Sequence, residues 1–305
     1  FLVGKRFFKD EFGVDNKIMW LPDVFGYSAA LPQIMKKAGI NYFMTTKISW
    51  NEFNKVPYDT FMWKGIDGTE ILSHFSPSTD CFDEGDSWQT TYNAYLNPEH
   101  ILGGWHRYSQ KDLNREYLCT FGHGDGGGGP QFEMIEESRR VADLNGCCKT
   151  YYTTVGDFMT DLEQRVKNPS TYAGELYLEL HRGTLTNQHN IKRNNRKAEL
   201  ALRDLEILTV GKAVKGGEVA SDEHIHPLYE KLLMNQFHDI LPGTCIHPAH
   251  VQSLKETGEV IAAARRLSAD YASGEGDGVS VTNTLSFDRN DPIFIECPAG
   301  YIADI

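Results

Sequence analysis

Short apolar runs alternate with amphipathic segments through the first half of the chain, and this alternation restricts the fold more than any other feature. Residues 18–21 form an apolar run that Pro22 ends, and residues 42–46 form a second one. Between them, apolar residues follow helical spacing from Ser28, a residue type that caps helix N-termini, to Gly39. A strand, a helix and a strand in this order predict a βαβ unit with parallel strands and a right-handed crossover.

The same alternation continues along the chain. Residues 62–72 predict a hairpin around a glycine turn, and residues 117–121 predict a strand that runs into the glycine-rich stretch 122–130. A helix follows that stretch, and then a strand at 151–154 and a helix at 157–166 are predicted. This order is typical of an α/β barrel or of an open α/β sheet.

The second half of the chain is dominated by helical patterns. Three amphipathic helices are predicted between residues 185 and 272, which is the pattern of a small three-helix bundle. Residues 279–283 and 291–295 are strand-like, so we expect a β domain to begin there. The chain therefore divides into three expected domains, namely residues 1–184, 185–275 and 276–305.

Charge and composition exclude several classes of partner. The chain has 305 residues and a net charge of −12, whereas a surface that binds nucleic acid or anionic lipid is basic. Hydrophobic residues make up 40 %, and no window approaches the roughly 20 apolar residues of a membrane span. Six scattered cysteines and the lack of a secretion signal predict a cytoplasmic protein. We expect neither a nucleic-acid nor a membrane partner, and leave open a homo-oligomer.

Two aspartates follow predicted strands and are candidates for acid–base chemistry. Asp23 comes just after the run 18–21, and Asp125 lies in the glycine-rich stretch after residues 117–121. Barrel enzymes gather catalytic groups at the C-terminal ends of strands, and glycoside hydrolysis needs one ionised and one protonated carboxyl group. Two simpler interpretations stay open here: Asp23 caps the next helix, and Asp125 belongs to a plain loop.

Histidines supply the remaining candidates. His238 and Asp239 lie at the end of a predicted helix, where the histidine is either a metal ligand or a hydrogen-bonded structural residue. His181 follows a predicted strand that carries Glu175 and Glu179. That cluster fits a polyol site and a structural charge cluster equally well.

Taken together, four segments resemble glycoside hydrolase family 38, the zinc-dependent α-mannosidases, and especially its bacterial and cytosolic or vacuolar branch. The segments are residues 20–28, 121–130, 174–188 and 235–244, and they come in the family's order. The resemblance implies an incomplete seven-stranded α/β barrel, followed by a three-helix middle domain and the start of a C-terminal β-sandwich.

The resemblance also implies a role for each matching residue. Asp23 would attack the anomeric carbon and ligate Zn²⁺, and His238 would be a second zinc ligand. Asp125 would be the general acid and base, while Asp239 and Phe25 would contact the sugar. The implied activity is a retaining exo-α-mannosidase that acts on terminal α-mannosyl residues of a glycan.

One departure from the family pattern concerns the metal. Family members carry two more zinc ligands in an early His-x-Asp element, and no such element occurs within residues 1–60. We therefore expect this chain by itself to hold zinc poorly or not at all and to be weakly active or inactive. The alternatives are a related metal-dependent carbohydrate deacetylase, a degenerate chain without turnover and a sugar-binding fragment.

Overall fold

The computed structural model describes residues 1–78, 91–217, 222–272 and 281–294. They divide into two units, Phe1–Leu185 and Thr186–Ile305. No helix in these described ranges has both the length and the apolar character that crossing a bilayer requires.

Two sheets organise the first unit. Its strands are β1 (Ile18–Trp20), β2 (Gly26–Tyr27), β3 (Tyr42–Thr45), β4 (Thr60–Lys64), β5 (Glu70–Phe75), β6 (Thr171–Ala173) and β7 (Leu176–Tyr177). A five-stranded sheet has the order β1-β3-β5-β4-β6, and β2 pairs with β7 in a separate antiparallel pair. β1, β3 and β5 are parallel, which confirms the predicted βαβ unit, and β4 and β5 form the predicted antiparallel hairpin.

Five α-helices lie in the described part of the first unit. They are α1 (Leu2–Phe12), α2 (Leu31–Lys37), α3 (Pro98–Arg107), α4 (Phe132–Val141) and α5 (Val155–Arg165). Local chemistry sets their ends: the Asn97 side chain accepts a hydrogen bond from the His100 amide at the start of α3. Gly13 ends α1 in the left-handed conformation, with φ of 67°. A short 3₁₀ helix, Lys47–Trp50, directly follows β3.

The core of the first unit lies on both faces of β3, whose four residues are all buried. One cluster contains Phe43 with Met35 of α2 and Trp63 of β4. The other contains Tyr42 and Met44 with residues of α5. A parallel strand that is covered on both faces reads as a continuous apolar run, which is why the sequence showed it so clearly.

Residues 117–121 do not form the predicted strand. Their peptide groups bond to side chains instead: Ser76 Oγ donates to the carbonyl oxygen of Leu118 at 2.8 Å, and the Thr120 amide donates to Ser78 Oγ at 3.0 Å. A single parallel bridge to a neighbouring segment is the only pairing recorded for this stretch within the described residues. The strand prediction was wrong because serine hydroxyl groups form hydrogen bonds with peptide groups that would otherwise pair with a neighbouring strand.

Residues 151–154 are also not a strand. The Thr154 side chain accepts a hydrogen bond from the Asp157 amide and so caps α5, which begins at Val155 rather than at the predicted residue 157. With these two strands lost, the described residues form an open sheet whose ends are β1 and β6. The seven-stranded barrel is therefore not confirmed.

Three helices make up most of the second unit: α6 (His189–Val214), α7 (Asp222–Met234) and α8 (His247–Ala272). One apolar cluster joins them, with Leu202 and Leu205 from α6, Leu232 from α7 and Val260 from α8. Residues 281–294 contain no strand, so the predicted start of a β-sandwich does not appear in the described residues. The strand-like residues 279, 280 and 295 lie outside the described ranges.

A buried histidine in β5 makes the first unit sensitive to acid. His74 is fully buried, its Nδ1 lies 3.0 Å from Thr60 Oγ1, and its ring packs 4.9 Å from that of Phe158. Burial lowers the pKa of His74 to about 3. The imidazole is therefore neutral in the folded protein at every pH at which the protein is usually handled.

We expect His74 to cost the fold about 2 kcal/mol between pH 7.5 and pH 5. The unfolded chain binds a proton at His74 below pH 6.5, whereas the folded chain does so only near pH 3, so stability falls as pH falls through this window. Urea unfolding of wild type and His74→Asn at both pH values measures the effect. Between these pH values the free energy of unfolding of the variant should fall by about 2 kcal/mol less than that of wild type. Equal losses in both proteins would contradict the assignment to His74.

Candidate active site

Asp23 lies directly beyond the C-terminal end of β1. The Leu21 amide donates to the Met44 carbonyl at 3.1 Å, which continues the pairing of β1 with β3 and places the next turn at the edge of the sheet. Asp23 does not cap the following helix, because α2 begins only at Leu31 and its N-cap is Ala30. The capping interpretation of Asp23 is therefore wrong.

The carboxylate of Asp23 contacts polar groups from distant parts of the first unit. Its Oδ1 lies 2.7 Å from Lys47 Nζ, and its Oδ2 accepts a hydrogen bond from the Tyr92 hydroxyl at 3.2 Å. The Asp23 side chain is 16 % exposed, so these contacts form away from bulk water. An ion pair at this depth is screened less than one at the surface.

Asp125 occupies the middle of the glycine-rich stretch. Its φ of 55° is in the left-handed region, which aspartate and asparagine tolerate better than other residues with a Cβ. Gly126 and Gly128 on its C-terminal side also have positive φ, so the run of glycines permits a tight turn. This turn presents the Asp125 carboxylate to Tyr92, whose hydroxyl donates a hydrogen bond to Oδ1.

Tyr92 joins the two aspartates, and sequence reasoning missed it. Its hydroxyl contacts both Asp23 and Asp125, which lie 69 and 33 positions away in the chain. Burial, and then the two carboxylates, raise the pKa of Tyr92, so the phenol keeps its proton. The hydroxyl carries one hydrogen, which Tyr92 shares between the two carboxylates.

Aromatic rings lie beside the Lys47 ammonium group that pairs with Asp23. The rings of Phe25 and His181 are perpendicular with centroids 4.9 Å apart, and the ring of Trp50 lies 6.3 Å from that of His181. Ligand sites combine apolar ring surfaces with a few fixed polar groups in this way. Of the residues predicted at the sugar, the structure places Phe25 in the same loop as Asp23.

Glu179 has a structural role, because its carboxylate bonds to the protein backbone and is not open to a polyol. Its buried carboxylate accepts hydrogen bonds from the amides of residues 52, 53 and 54, at 2.8 Å each. These amide donors, that of Phe53 first, lower the pKa of Glu179. These carboxylate contacts are made with the loop that follows the 3₁₀ helix Lys47–Trp50.

His238 and Asp239 belong to the second unit, in the turns that follow α7. The His238 ring lies 4.2 Å from that of Phe237, and its Nε2 is 3.6 Å from Asp239 Oδ2. Asp239 Oδ1 also accepts a hydrogen bond from Thr244 Oγ1 at 2.7 Å. The two residues are neighbours within this unit, as their adjacent positions require.

The described residues do not assemble a zinc site by themselves. Across residues 1–78, 91–217, 222–272 and 281–294, no group of three His, Cys, Asp or Glu side chains converges on one point. Structural and catalytic zinc sites use three or four such ligands. Asp23 Oδ1 lies 2.7 Å from the Lys47 ammonium group, so a cation already neighbours this candidate ligand. We derive no catalytic step through zinc.

Comparison with known proteins identifies the family. Residues 1–175 match the glycosyl hydrolases family 38 N-terminal domain. The chain belongs to glycosyl hydrolase family 38. Residues 179–273 also match the α-mannosidase middle domain of these proteins, and the resemblance that the four sequence segments indicated is confirmed.

Relatives of this chain are named as α-mannosidases. The chain is 38 % identical over 269 residues to α-mannosidase G of Dictyostelium discoideum, covering 88 % of this chain and 24 % of that protein. It is 34 % identical over 307 residues to α-mannosidase 2C1 of Mus musculus, covering 98 % of this chain and 28 % of the mouse protein. The chain thus spans about a quarter of the length of these relatives.

Solved structures support the α/β fold. The crystal structure of an α-mannosidase from Enterococcus faecalis superposes with a TM-score of 0.66 at 16 % identity. The match covers 88 % of this chain and 31 % of the bacterial one. At this level of identity the likeness concerns the fold.

Proposed function

We propose that this family 38 chain contributes the reacting carboxyl groups of a retaining α-mannosidase, an enzyme that releases terminal α-mannosyl residues from a glycan. One observation carries the proposal: a single tyrosine hydroxyl, that of Tyr92, contacts both Asp23 and Asp125. The names of the relatives supply the substrate class, and the carboxyl pair supplies the chemistry.

The spacing of the two carboxyl groups supports retention of configuration. Two oxygens that contact one hydroxyl oxygen are at most two hydrogen-bond lengths apart, which is about 6 Å. Retaining glycosidases place their carboxyl groups about 5–5.5 Å apart, whereas inverting enzymes need about 6.5–9.5 Å to admit a water molecule. The shared contact with Tyr92 therefore supports the retaining class for Asp23 and Asp125.

The proposed reaction has two displacements. Asp23 attacks the anomeric carbon as the glycosidic bond breaks, and Asp125 gives its proton to the departing oxygen. In the second step Asp125 takes a proton from water, the water oxygen bonds to the anomeric carbon, and the bond to Asp23 breaks. Tyr92 donates a hydrogen bond to whichever carboxyl group is ionised and so keeps the two side chains in their relative positions.

Substrate contacts from Phe25 and Asp239 remain part of the proposal, as do cytoplasmic localisation and a possible second copy in a homo-oligomer. Phe25 is supported by its position in the Asp23 loop, beside His181. Asp239 is supported by the match of its segment to the family.

Zinc dependence remains a prediction of the family resemblance, in which Asp23 and His238 are two of four ligands. Two ligands hold zinc weakly, so a polypeptide of residues 1–305 should retain far less than one zinc per chain after dialysis. Elemental analysis of the dialysed protein measures this, with a cobalt spectrum as a second readout of ligation. A stoichiometric zinc content would show that the chain contains a complete site.

The experiment that tests the function uses the protein as it is naturally produced. Hydrolysis of 4-nitrophenyl α-mannoside is compared with the β-mannoside and the α-glucoside, with and without a chelator. Proton NMR identifies the first sugar released, and α-mannose would establish retention. Deacetylation of an acetylated sugar without glycoside hydrolysis would favour the deacetylase. Saturable binding of mannose without turnover would favour a sugar-binding protein.

A further inference from the structure

A lysine beside Asp23 has no role in the chemistry described so far. Lys47 is the first residue of the 3₁₀ helix after β3, and it is only 7 % exposed. A buried ammonium group loses much of its hydration, so it persists only where other groups compensate the charge. Its contacts therefore show what holds it at this place.

Two groups compensate the charge of Lys47. Its Nζ lies 2.7 Å from Asp23 Oδ1, and it lies 3.6 Å from the centre of the Trp50 ring. A cation over the face of a tryptophan is attracted by the negative face of the ring, and more strongly away from water. The Phe25 ring, at 5.8 Å, adds a weaker contact of the same kind.

Neighbouring hydrogen bonds align Lys47 with Asp23. Thr46 Oγ1 donates to the carbonyl oxygen of Pro22 at 2.8 Å, so the residues that precede Lys47 and Asp23 are tied to each other. On the other side, Glu179 holds the loop after Trp50 through the backbone amides of residues 52–54. These bonds hold the backbone segments from which the Lys47 and Asp23 side chains extend.

We propose that Lys47 is a positioning residue that assigns different tasks to the two oxygens of Asp23, an inference that rests on the proposed function. Lys47 binds Oδ1 and leaves Oδ2, the oxygen on the side of Tyr92 and Asp125, as the one that attacks the sugar. Rotation of the carboxylate would cost the ion pair, so the attacking oxygen stays directed at the acid–base partner.

The same contact has unequal effects on the two displacements. In the first displacement, the ammonium group stabilises the Asp23 carboxylate before the carboxylate attacks. This lowers the nucleophilicity of Asp23 and offsets the rate gained from its orientation. In the second, the ester bond breaks, its electron pair returns to Asp23, and the ammonium group stabilises the charge as it develops. Lys47 therefore accelerates the breakdown of the covalent intermediate more than its formation.

The test compares Lys47→Met and Lys47→Gln with Lys47→Arg in the naturally produced protein. With 2,4-dinitrophenyl α-mannoside, the two neutral variants should lose about 10²-fold in kcat, the size of effect that one preorganised donor has elsewhere. Their kcat/KM should fall less, KM should fall, and mass spectrometry should detect the mannosyl-enzyme. Lys47→Arg keeps the cation and should recover part of kcat. Lys17→Met removes a half-exposed lysine of the same unit and is the matched control.

The outcomes separate this inference from the proposed function. A wild-type protein that does not hydrolyse α-mannosides, or that inverts configuration, would overturn the function itself. A wild type that retains configuration, beside folded neutral variants with unchanged kcat, would overturn the role of Lys47 alone. Equal losses in kcat and kcat/KM without an accumulating intermediate would overturn it as well. Should Lys47→Met fail to fold, Lys47→Gln, which keeps a hydrogen-bond donor, decides between these outcomes.

Discussion

Asp23→Asn is expected to lose hydrolysis of an aryl α-mannoside by about 10⁴-fold or more, the range seen when other covalent enzymes lose the nucleophile or its supporting group. The amide has the same shape and still accepts a hydrogen bond from Tyr92, but it cannot form the glycosyl ester. The measurement is kcat/KM with a sensitive fluorogenic α-mannoside, and circular dichroism checks that the variant is folded.

A matched control separates loss of the nucleophile from loss of an acidic side chain in general. Asp143 is an exposed aspartate of the same unit that pairs with Lys149, so Asp143→Asn should keep wild-type kinetics. A folded Asp23→Asn variant within about tenfold of wild type would mean that the carboxylate of Asp23 is not the nucleophile. The two-step mechanism would then be wrong, whatever the family of the chain.

Asp125→Asn is expected to show a loss that depends on the leaving group. General acid catalysis contributes about 10²–10⁴-fold, and it is needed most when the departing oxygen is a poor leaving group. The kcat/KM for an α-linked mannobiose should fall by that factor, whereas the kcat/KM for 2,4-dinitrophenyl α-mannoside, which reports formation of the ester, should fall much less. Asparagine is the right substitution because it tolerates the left-handed backbone at this position.

Azide provides an independent readout of the same role. In Asp125→Asn the mannosyl ester on Asp23 forms but lacks a base to activate water, so azide, which needs no base, should attack it and yield α-mannosyl azide. The Asp23→Asn variant cannot form the ester and should not give this product. Equal losses with every leaving group, and no azide product, would remove Asp125 from the acid–base role.

Local patterns predicted the first unit well where burial is uniform along an element. β1, α2 and β3 form where predicted because each element carries its own apolar spacing, and Gly39 follows the end of the helix with φ of 73°. The predicted N-cap Ser28 was wrong, because α2 begins at Leu31 and its N-cap is Ala30. The strand at 117–121 failed because its apolar run looks the same whether its peptide groups pair with a strand or with Ser76 and Ser78. The strand propensity of a segment does not specify which groups will bond to its peptide groups.

Sequence reasoning singled out the two aspartates that the structure brings together and missed the residues that contact them. Asp23 and Asp125 were recognisable because each follows an apolar run and precedes a turn, and because glycines surround the second. Tyr92 and Lys47 carry no local signal: tyrosine is common in loops, and a lysine after a strand reads as exposed. Their roles follow only from contacts that the fold creates.

The sequence by itself determined which residues prefer burial, where turns permit a left-handed backbone, and to which family the chain belongs. These properties are local or are carried by short segments in order, so no distance between remote residues is needed to read them. The tertiary structure alone decided that Asp23, Lys47, Tyr92 and Asp125 meet, and that the sheet of the described residues is open. Such meetings depend on the packing of whole elements against one another, because the free energy that closes long loops comes from the buried core and not from the residues that the loops bring together.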